Sequence, residues 1–212
     1  MLSRIVFVRH PDIGALREPQ PFSGGARLDE RAVNLASVLL SLAGLRGGFP
    51  ERVSRALREL FPGFSVRLKS EFGRVAIVAE ERGLELPPPN MPDGALKLLA
   101  LLTAVESNPS ILLVDELENS MHARMLEYII DEFNSLDIPV LVATHSPIAV
   151  DLVAPDRVIV TLRDPVRGTY VERIEDPAKL KEELMKWGIA LSDYVFYKLT
   201  YTRQEAPESG GS

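Results

Sequence analysis

Two runs of uniformly apolar residues stand out in the second half of the chain, Ile111-Leu112-Leu113-Val114 and Val140-Leu141-Val142-Ala143. Each is short, leucine-rich or β-branched, and lacks polar alternation, the pattern of a parallel strand covered on both faces. Between them, Met121, Met125, Ile129, Ile130, Phe133 and Leu136 recur near helical spacing, so Ser120 to Leu136 predicts a crossover helix. The three segments together predict a βαβ unit. Just ahead of it, Gly94 to Val105 carries Leu96, Leu98, Leu99, Leu101 and Leu102 and predicts a strongly buried helix.

The first half is more varied. Ile5 to Val8 predicts a short strand, and the Pro- and Gly-rich residues 11 to 27 predict a loop. Asp29 or Asn34 is placed to cap a helix running to Gly44. Pro50 opens a second helix with Val53, Leu57, Leu60 and Phe61 on one face, ended by Pro62-Gly63. Phe64 to Ser70 and Gly73 to Glu80 alternate apolar and polar residues and predict a half-exposed antiparallel pair. After the βαβ unit, Arg157 to Leu162 and Thr169 to Ile174 read as strands, the former expected as a further parallel core strand. Glu175 to Trp187 and Ile189 to Leu199 read as helices. Residues 205 to 212 read as a loose polar tail, leaving 1 to 204 as one domain.

Composition narrows the class. At 212 residues, 46% hydrophobic and 25% charged, the chain has material for one globular domain with a substantial core. A net charge of −6 carries no global basic excess of the kind that advertises a nucleic-acid surface. The absence of cysteine excludes disulfides and thiolate metal sites, and three histidines leave little for a histidine-rich cluster. No apolar run approaches a membrane span and the N-terminus does not read as a signal peptide, so a cytoplasmic location is expected.

The candidate chemistry lies at the ends of the two apolar runs. Ligands of parallel sheets bind at the carboxyl ends of the strands. The first run ends in Asp115-Glu116 and the second in Thr144-His145-Ser146. A carboxylate at the end of a buried strand can hold Mg²⁺, usually through water, and an adjacent one can orient or deprotonate an attacking water. A histidine at the next strand end can hydrogen-bond a γ-phosphate. Taken singly, Asp115 is equally a polar helix cap and His145 a strand-end histidine bonded to backbone. Their combination is more specific, because the interval from Glu116 to His145 is what one crossover helix and one strand take up.

The stretch resembles the ABC-type ATPases, in particular their RecF/SMC-like, AAA-type ATP-binding members. The resemblance rests on Met91-Pro92-Asp93-Gly94 ahead of a leucine-rich helix, Leu112-Leu113-Val114-Asp115-Glu116 as a Walker B strand, Glu118-Asn119-Ser120-Met121-His122, and Thr144-His145-Ser146-Pro147. It implies an α/β P-loop NTPase-type fold, a parallel sheet flanked by helices with a small antiparallel pair. It also implies ATP and Mg²⁺ as cofactors. Asp115 would bind Mg²⁺, Glu116 would be the general base and His145 the switch histidine. Asp93 and Gly94 would meet the γ-phosphate held by a second copy. Asn119, with Glu118 and His122, would lie near the dimer-facing loop, and Ser146 would stand at the nucleotide beside His145.

Two departures qualify these implications. Pro92 stands where the family usually has serine, removing a hydroxyl and an N–H. The sequence also contains no G-x-x-x-x-G-K-[ST] motif, whose backbone N–H groups wrap phosphates. Its nearest match, Gly63 to Ser70, has Leu68 in place of the second glycine and alternates like a strand. The chain therefore reads as a C-terminal lobe, incomplete without a Walker A lobe or subunit, working in a homo- or hetero-oligomer, with a DNA-linked complex as one setting. The alternative is a non-catalytic adaptor that kept the fold. A third reading, a histidine phosphatase built on Arg9-His10 and His145, leaves Asp115-Glu116 unexplained. Ser23-Gly24-Gly25 looks like the centre of a signature motif, but reads as a flexible loop.

Overall fold

The computed structural model describes residues 4–25, 27–164, 166 and 168–201. The expected tail, residues 205–212, lies outside them. The elements in chain order are β1 (Ile5–Arg9), α1 (Ile13–Leu16), β2 (Gln20–Pro21), α2 (Leu35–Arg46), α3 (Glu51–Leu60), β3 (Phe64–Glu71), β4 (Arg74–Glu81) and β5 (Leu84–Leu86). There follow α4 (Asp93–Glu106), β6 (Ile111–Asp115), α5 (Ala123–Asn134), β7 (Val140–Val142), α6 (Pro147–Asp151), β8 (Ile159–Asp164), β9 (Gly168–Arg173), α7 (Pro177–Trp187) and α8 (Leu191–Tyr201). They group into two compact units, Met1–His145 and Ser146–Ser212.

In the first unit the two apolar runs form β6 and β7, parallel and adjacent, with Val114 opposite Val142. β1 completes the described sheet in the order β1-β6-β7, and its register sets Arg9 opposite Asp115. The α/β class and the crossover helix expected from the sequence are both present. α4 is the core helix: every residue from Ala95 to Val105 is buried, because α4 packs against α1, α2, α3 and β1. α3 is tied to α5 through Glu132, a buried carboxylate that takes the guanidinium groups of Arg52 and Arg55.

The expected antiparallel pair is β3 and β4, extended by β2 and β5 on β4. Their turns follow from Phe72-Gly73 and Arg82-Gly83, all four residues at positive φ, the conformation of tight type I′ hairpins. Phe64 to Ser70 is accordingly strand, with Gly63 in the turn ahead of it, and Ser23-Gly24-Gly25 is loop. That loop is fastened to α2 by Ser23 N–H donating to Ser37 Oγ at 2.9 Å.

The second unit corrects one expectation. Arg157 to Leu162 does not form a parallel core strand; the strand there, β8, pairs antiparallel with β9, Leu162 opposite Tyr170. β9 begins within a hairpin's reach of β8, and antiparallel pairing along the whole of β8 satisfies its backbone outside the β1-β6-β7 sheet. Val160, Leu162, Leu180, Leu184, Leu191 and Val195 form this unit's own apolar core. Asp151 fastens the start of α8 by accepting the N–H and hydroxyl of Ser192 at 2.7 and 2.8 Å. No helix among the described residues is long and apolar enough to cross a membrane.

Candidate functional site

The carboxyl ends of β1, β6 and β7 lie along one edge of the parallel sheet, and the polar residues that follow each strand meet there. Arg9 Nε lies 3.5 Å from Asp115 Oδ2. His10 Nε2 lies 2.8 Å from Glu116 Oε2. The Asn119 amide donates to the same Oε2. Three residues of this region, His10, Glu116 and Ser120, hold positive φ without being glycine. Such backbone is costly and persists where the surroundings over-determine it, commonly at functional sites.

The loop after β6 continues the sheet before it turns away. Ala143 N–H bonds to Val114 O at 2.8 Å and Leu117 N–H to Ala143 O at 3.4 Å. Glu118 then reaches across to the turn after β7. Its carboxylate accepts the Thr144 hydroxyl at 2.6 Å and the His145 backbone N–H at 2.8 Å. Burial pushes the Glu118 carboxyl up, but the bonds from Thr144, from its own backbone and from His145 outweigh burial and leave it below the usual glutamate value.

Lys97 enters the site from α4. Its ammonium donates to the backbone carbonyl of Glu116 at 2.6 Å. Burial pulls its pKa down to about 8 against the opposing pull of Glu118 and Glu116. Lys97, His10, Pro11, Ile13, Asn119 and Ser120 line an open depression of about 270 Å³.

Asp115, Glu116, Asn119 and the backbone of His145 thus belong to one edge. Asp93 begins α4, where its carboxylate accepts Arg17 Nη2 at 2.5 Å. Gly94 packs so closely on the loop after β6 that a Cβ there would stand 2.7 Å from Ser120 O. Its glycine identity therefore has a packing cause. Ser146 lies in the second unit and caps α6, accepting Ala149 N–H on Oγ at 3.4 Å. His122 is the N-cap residue of α5, without a side-chain capping bond.

Arg9, His10 and Lys97 are site residues that the sequence reading did not assign to the Asp115-Glu116 edge. A signal existed for the first two, since they follow a short apolar strand and parallel strands converge at their carboxyl ends. Lys97 offered only a lysine at an otherwise apolar helical position.

The donor set bears on Mg²⁺. Among the described residues no group of three or more histidine or acidic side chains forms a metal cage. Two adjacent carboxylates at one strand end still fit Mg²⁺, which keeps several waters and is typically held by one or two carboxylates plus substrate phosphates. No glycine-rich nest for a triphosphate accompanies them in the sequence.

No curated protein matches the chain. Among solved structures it is similar to the SmcHead bound to the C-winged helix domain of ScpA, with a TM-score of 0.56 and 19% identity over 85% of this chain and 57% of that one. It is also similar to a structure from work on ATP-driven dimerization and DNA stimulated activation of SMC ATPases, with a TM-score of 0.46, 24% identity, and coverage of 64% of this chain and 92% of that one. The Smc head domain from Pyrococcus furiosus, bound to the C-terminal domain of ScpA, gives a TM-score of 0.47 and 21% identity over 74% of this chain and 42% of that one. The SmcHead likeness shows the fold, an ABC ATPase-like α/β sheet flanked by helices, and the chain spans 57% of that head's length. A family model described as "AAA domain, putative AbiEii toxin, Type IV TA system" matches residues 11–151. Residues 11–151 make up most of the chain, and the protein belongs to this family of AAA domains.

Proposed function

We propose that this chain is the Walker B and switch-histidine half of an ABC-type ATPase, converting ATP and water to ADP and phosphate once a P-loop-bearing lobe joins it. The observation that carries the reading is the meeting of the ends of β1 and β6 on the Glu116 carboxylate, through His10 and Asn119, with the turn after β7 tied to the same loop by Glu118. Glu116 is aimed by a left-handed backbone and held by His10 and Asn119.

Asp115 would hold Mg²⁺, which when bound would supply charge neutralisation at the phosphates. Glu116 acts as general base. Its contacts with His10 and Asn119 both fall on Oε2, so Oε1 is the oxygen that takes the proton of the attacking water. His145, whose turn is latched by Glu118, stands at the γ-phosphate and senses its loss. Asp93 and Gly94 face the nucleotide of a second copy, with Asn119 near that interface and Ser146 beside His145. ATP binding thereby drives dimerisation. A DNA-linked assembly is the setting that the family resemblance implies.

The uncovered side of β7 supports docking of a second lobe. Leu141 is 59% exposed although its strand is apolar throughout, as strands covered on both faces are. Among the described strands β7 pairs only with β6. A second reading, a non-catalytic adaptor, is favoured by the start of α4, where Pro92 is the N-cap and Asp93 is tied to Arg17.

Steady-state hydrolysis by the chain assembled with a P-loop-bearing lobe separates the two. Glu116→Gln is expected to keep Mg-ATP binding, trap the dimer on size exclusion, and slow turnover by about 10²–10⁴-fold, the usual contribution of a general base. Hydrolysis by Glu116→Gln at the native rate would refute the assignment. A native assembly that binds its partner lobe but never turns over would favour the adaptor.

A further inference from the structure

Lys97 is out of character with its surroundings. It sits in an unbroken run of buried α4 residues and is itself 3% exposed. Lysines ordinarily lie along apolar surface and release the ammonium to water. This one is directed at the backbone carbonyl of Glu116, 2.6 Å away, and at the depression it lines with His10, Asn119 and Ser120. Methionine would fill similar space without burying a charge, so the amine rather than the volume needs a reason.

The reason is found at its acceptor. Glu116 has φ 50°, a left-handed conformation that a residue with a Cβ adopts only at an energetic cost. That conformation ends β6 and turns the Glu116 side chain to where its carboxylate meets His10 and Asn119. The carbonyl of the same peptide accepts Lys97 Nζ and, at 3.3 Å, Asn119 N–H. A charge-assisted bond to a carbonyl is stronger than a neutral one and is of the right size to hold a strained turn. One turn earlier on α4, Gly94 packs on Ser120 O. The start of α4 therefore grips the loop after β6 at two points, one by packing and one by charge.

We infer that Lys97 is a positioning residue, whose ammonium holds the Glu116 carbonyl and thereby fixes the left-handed turn that aims the Glu116 carboxylate. The inference rests on the proposed role of Glu116 as base, but its geometric half is open to measurement without hydrolysis. It also gives α4 a second role, since the helix whose first turn carries Asp93-Gly94 sets the base of its own copy through Lys97.

The test uses Lys97→Met and Lys97→Arg in the full chain. The first readout is the backbone carbonyl ¹³C shift of Glu116 in protein carrying labelled glutamate, assigned by its disappearance in Glu116→Gln. It is expected to move upfield in Lys97→Met and to return toward the native position in Lys97→Arg, which keeps a charged donor. A native-like shift in a folded Lys97→Met overturns the inference. If Lys97→Met does not fold, Lys97→Gln takes its place: its shorter, neutral side chain cannot make the charge-assisted bond, so the signal is expected to move upfield, and a native-like shift overturns the inference.

The second readout is hydrolysis by the assembly with the P-loop-bearing lobe. Lys97→Met is expected to lower kcat by about 10–100-fold, the scale of a misplaced catalytic group, with KM nearly unchanged. Lys97→Arg is expected to recover most of that loss. A change confined to KM overturns positioning of the base. If the native assembly hydrolyses no ATP, the ATPase reading fails, while the carbonyl shift still decides whether Lys97 holds Glu116.

Discussion

The Glu118 carboxylate accepts the Thr144 hydroxyl at 2.6 Å and so joins the loop after β6 to the turn after β7. The His145 N–H adds a second bond at 2.8 Å to the other carboxylate oxygen. Bonds to a charged acceptor contribute about 1.5–3 kcal/mol when sheltered, and partial exposure reduces that. Glu118→Ala is therefore expected to lower unfolding stability by about 1–2 kcal/mol at neutral pH in urea titration. The folded carboxyl sits below its ordinary value, so this stability is present above the unfolded glutamate pKa of about 4.3 and is lost as pH falls through the folded value. The gap between native protein and Glu118→Ala should stay constant from neutral pH to about 5 and close in stronger acid. Equal stability of the two at neutral pH would show that Glu118 latches nothing.

Lys97 predicts a pH dependence of opposite sense. Its folded pKa of about 8 lies below the unfolded value, so above about 8 the unfolded chain binds more protons than the native one. The cost of burying the ammonium is fully present below pH 8 and is relieved as pH rises toward the unfolded lysine value. Relative to Lys97→Met, the native protein should gain on the order of 2 kcal/mol between pH 7.5 and 10.5, less than the full shift implies because the amine lines an open depression. Denaturant titrations across that range, each variant against native, measure it. Parallel curves would show that the amine is not desolvated.

At Gly94 two effects compete. Alanine in a helix is favoured over glycine by about 1 kcal/mol. Against that, a Cβ at this position would lie 2.7 Å from Ser120 O, a backbone atom that cannot step aside without moving the loop after β6. Overpacking of this kind costs about 1–3 kcal/mol, so the clash should win and Gly94→Ala should lower the thermal midpoint. A raised midpoint would mean that the loop yields freely, and would weaken the view that α4 grips it.

The sequence made the βαβ unit and the Asp115-Glu116 edge readable because both are local: an apolar run, then charge, then helical periodicity. The helix from Gly94 was readable for the same reason, as was the β3–β4 hairpin, whose turn is written in adjacent residues. What could not be read depends on register and reach. Nothing near Arg9-His10 says that β1 lies against β6 with Arg9 opposite Asp115. Nothing near Lys97 says that its amine ends on a carbonyl of another element. Residues 157–162 misled because an apolar run fits a parallel core strand and a hairpin strand equally, and only the pairing of β8 with β9 decides.

The last prediction concerns the open side of the sheet. At the other edge, Arg27 covers β1 by donating its guanidinium to the Ile5 carbonyl. β7 has no such cover among the described strands, and Leu141 is exposed upon it. On the proposed reading, the P-loop-bearing lobe adds a strand there and buries Leu141. In the isolated chain, Leu141→Lys replaces an exposed side chain, so its stability should change by no more than about 0.5 kcal/mol. In the assembly it would bury an unpaired ammonium, and affinity for the lobe should fall by about 10²-fold or more. Leu45 on α2 is 84% exposed and serves as control, since Leu45→Lys makes the same chemical change away from β7. Titration calorimetry against the P-loop-bearing lobe is expected to show native-like binding for Leu45→Lys and little or none for Leu141→Lys. Equal affinities would place the lobe elsewhere and leave the exposed edge of β7 without a role in completing the ATPase.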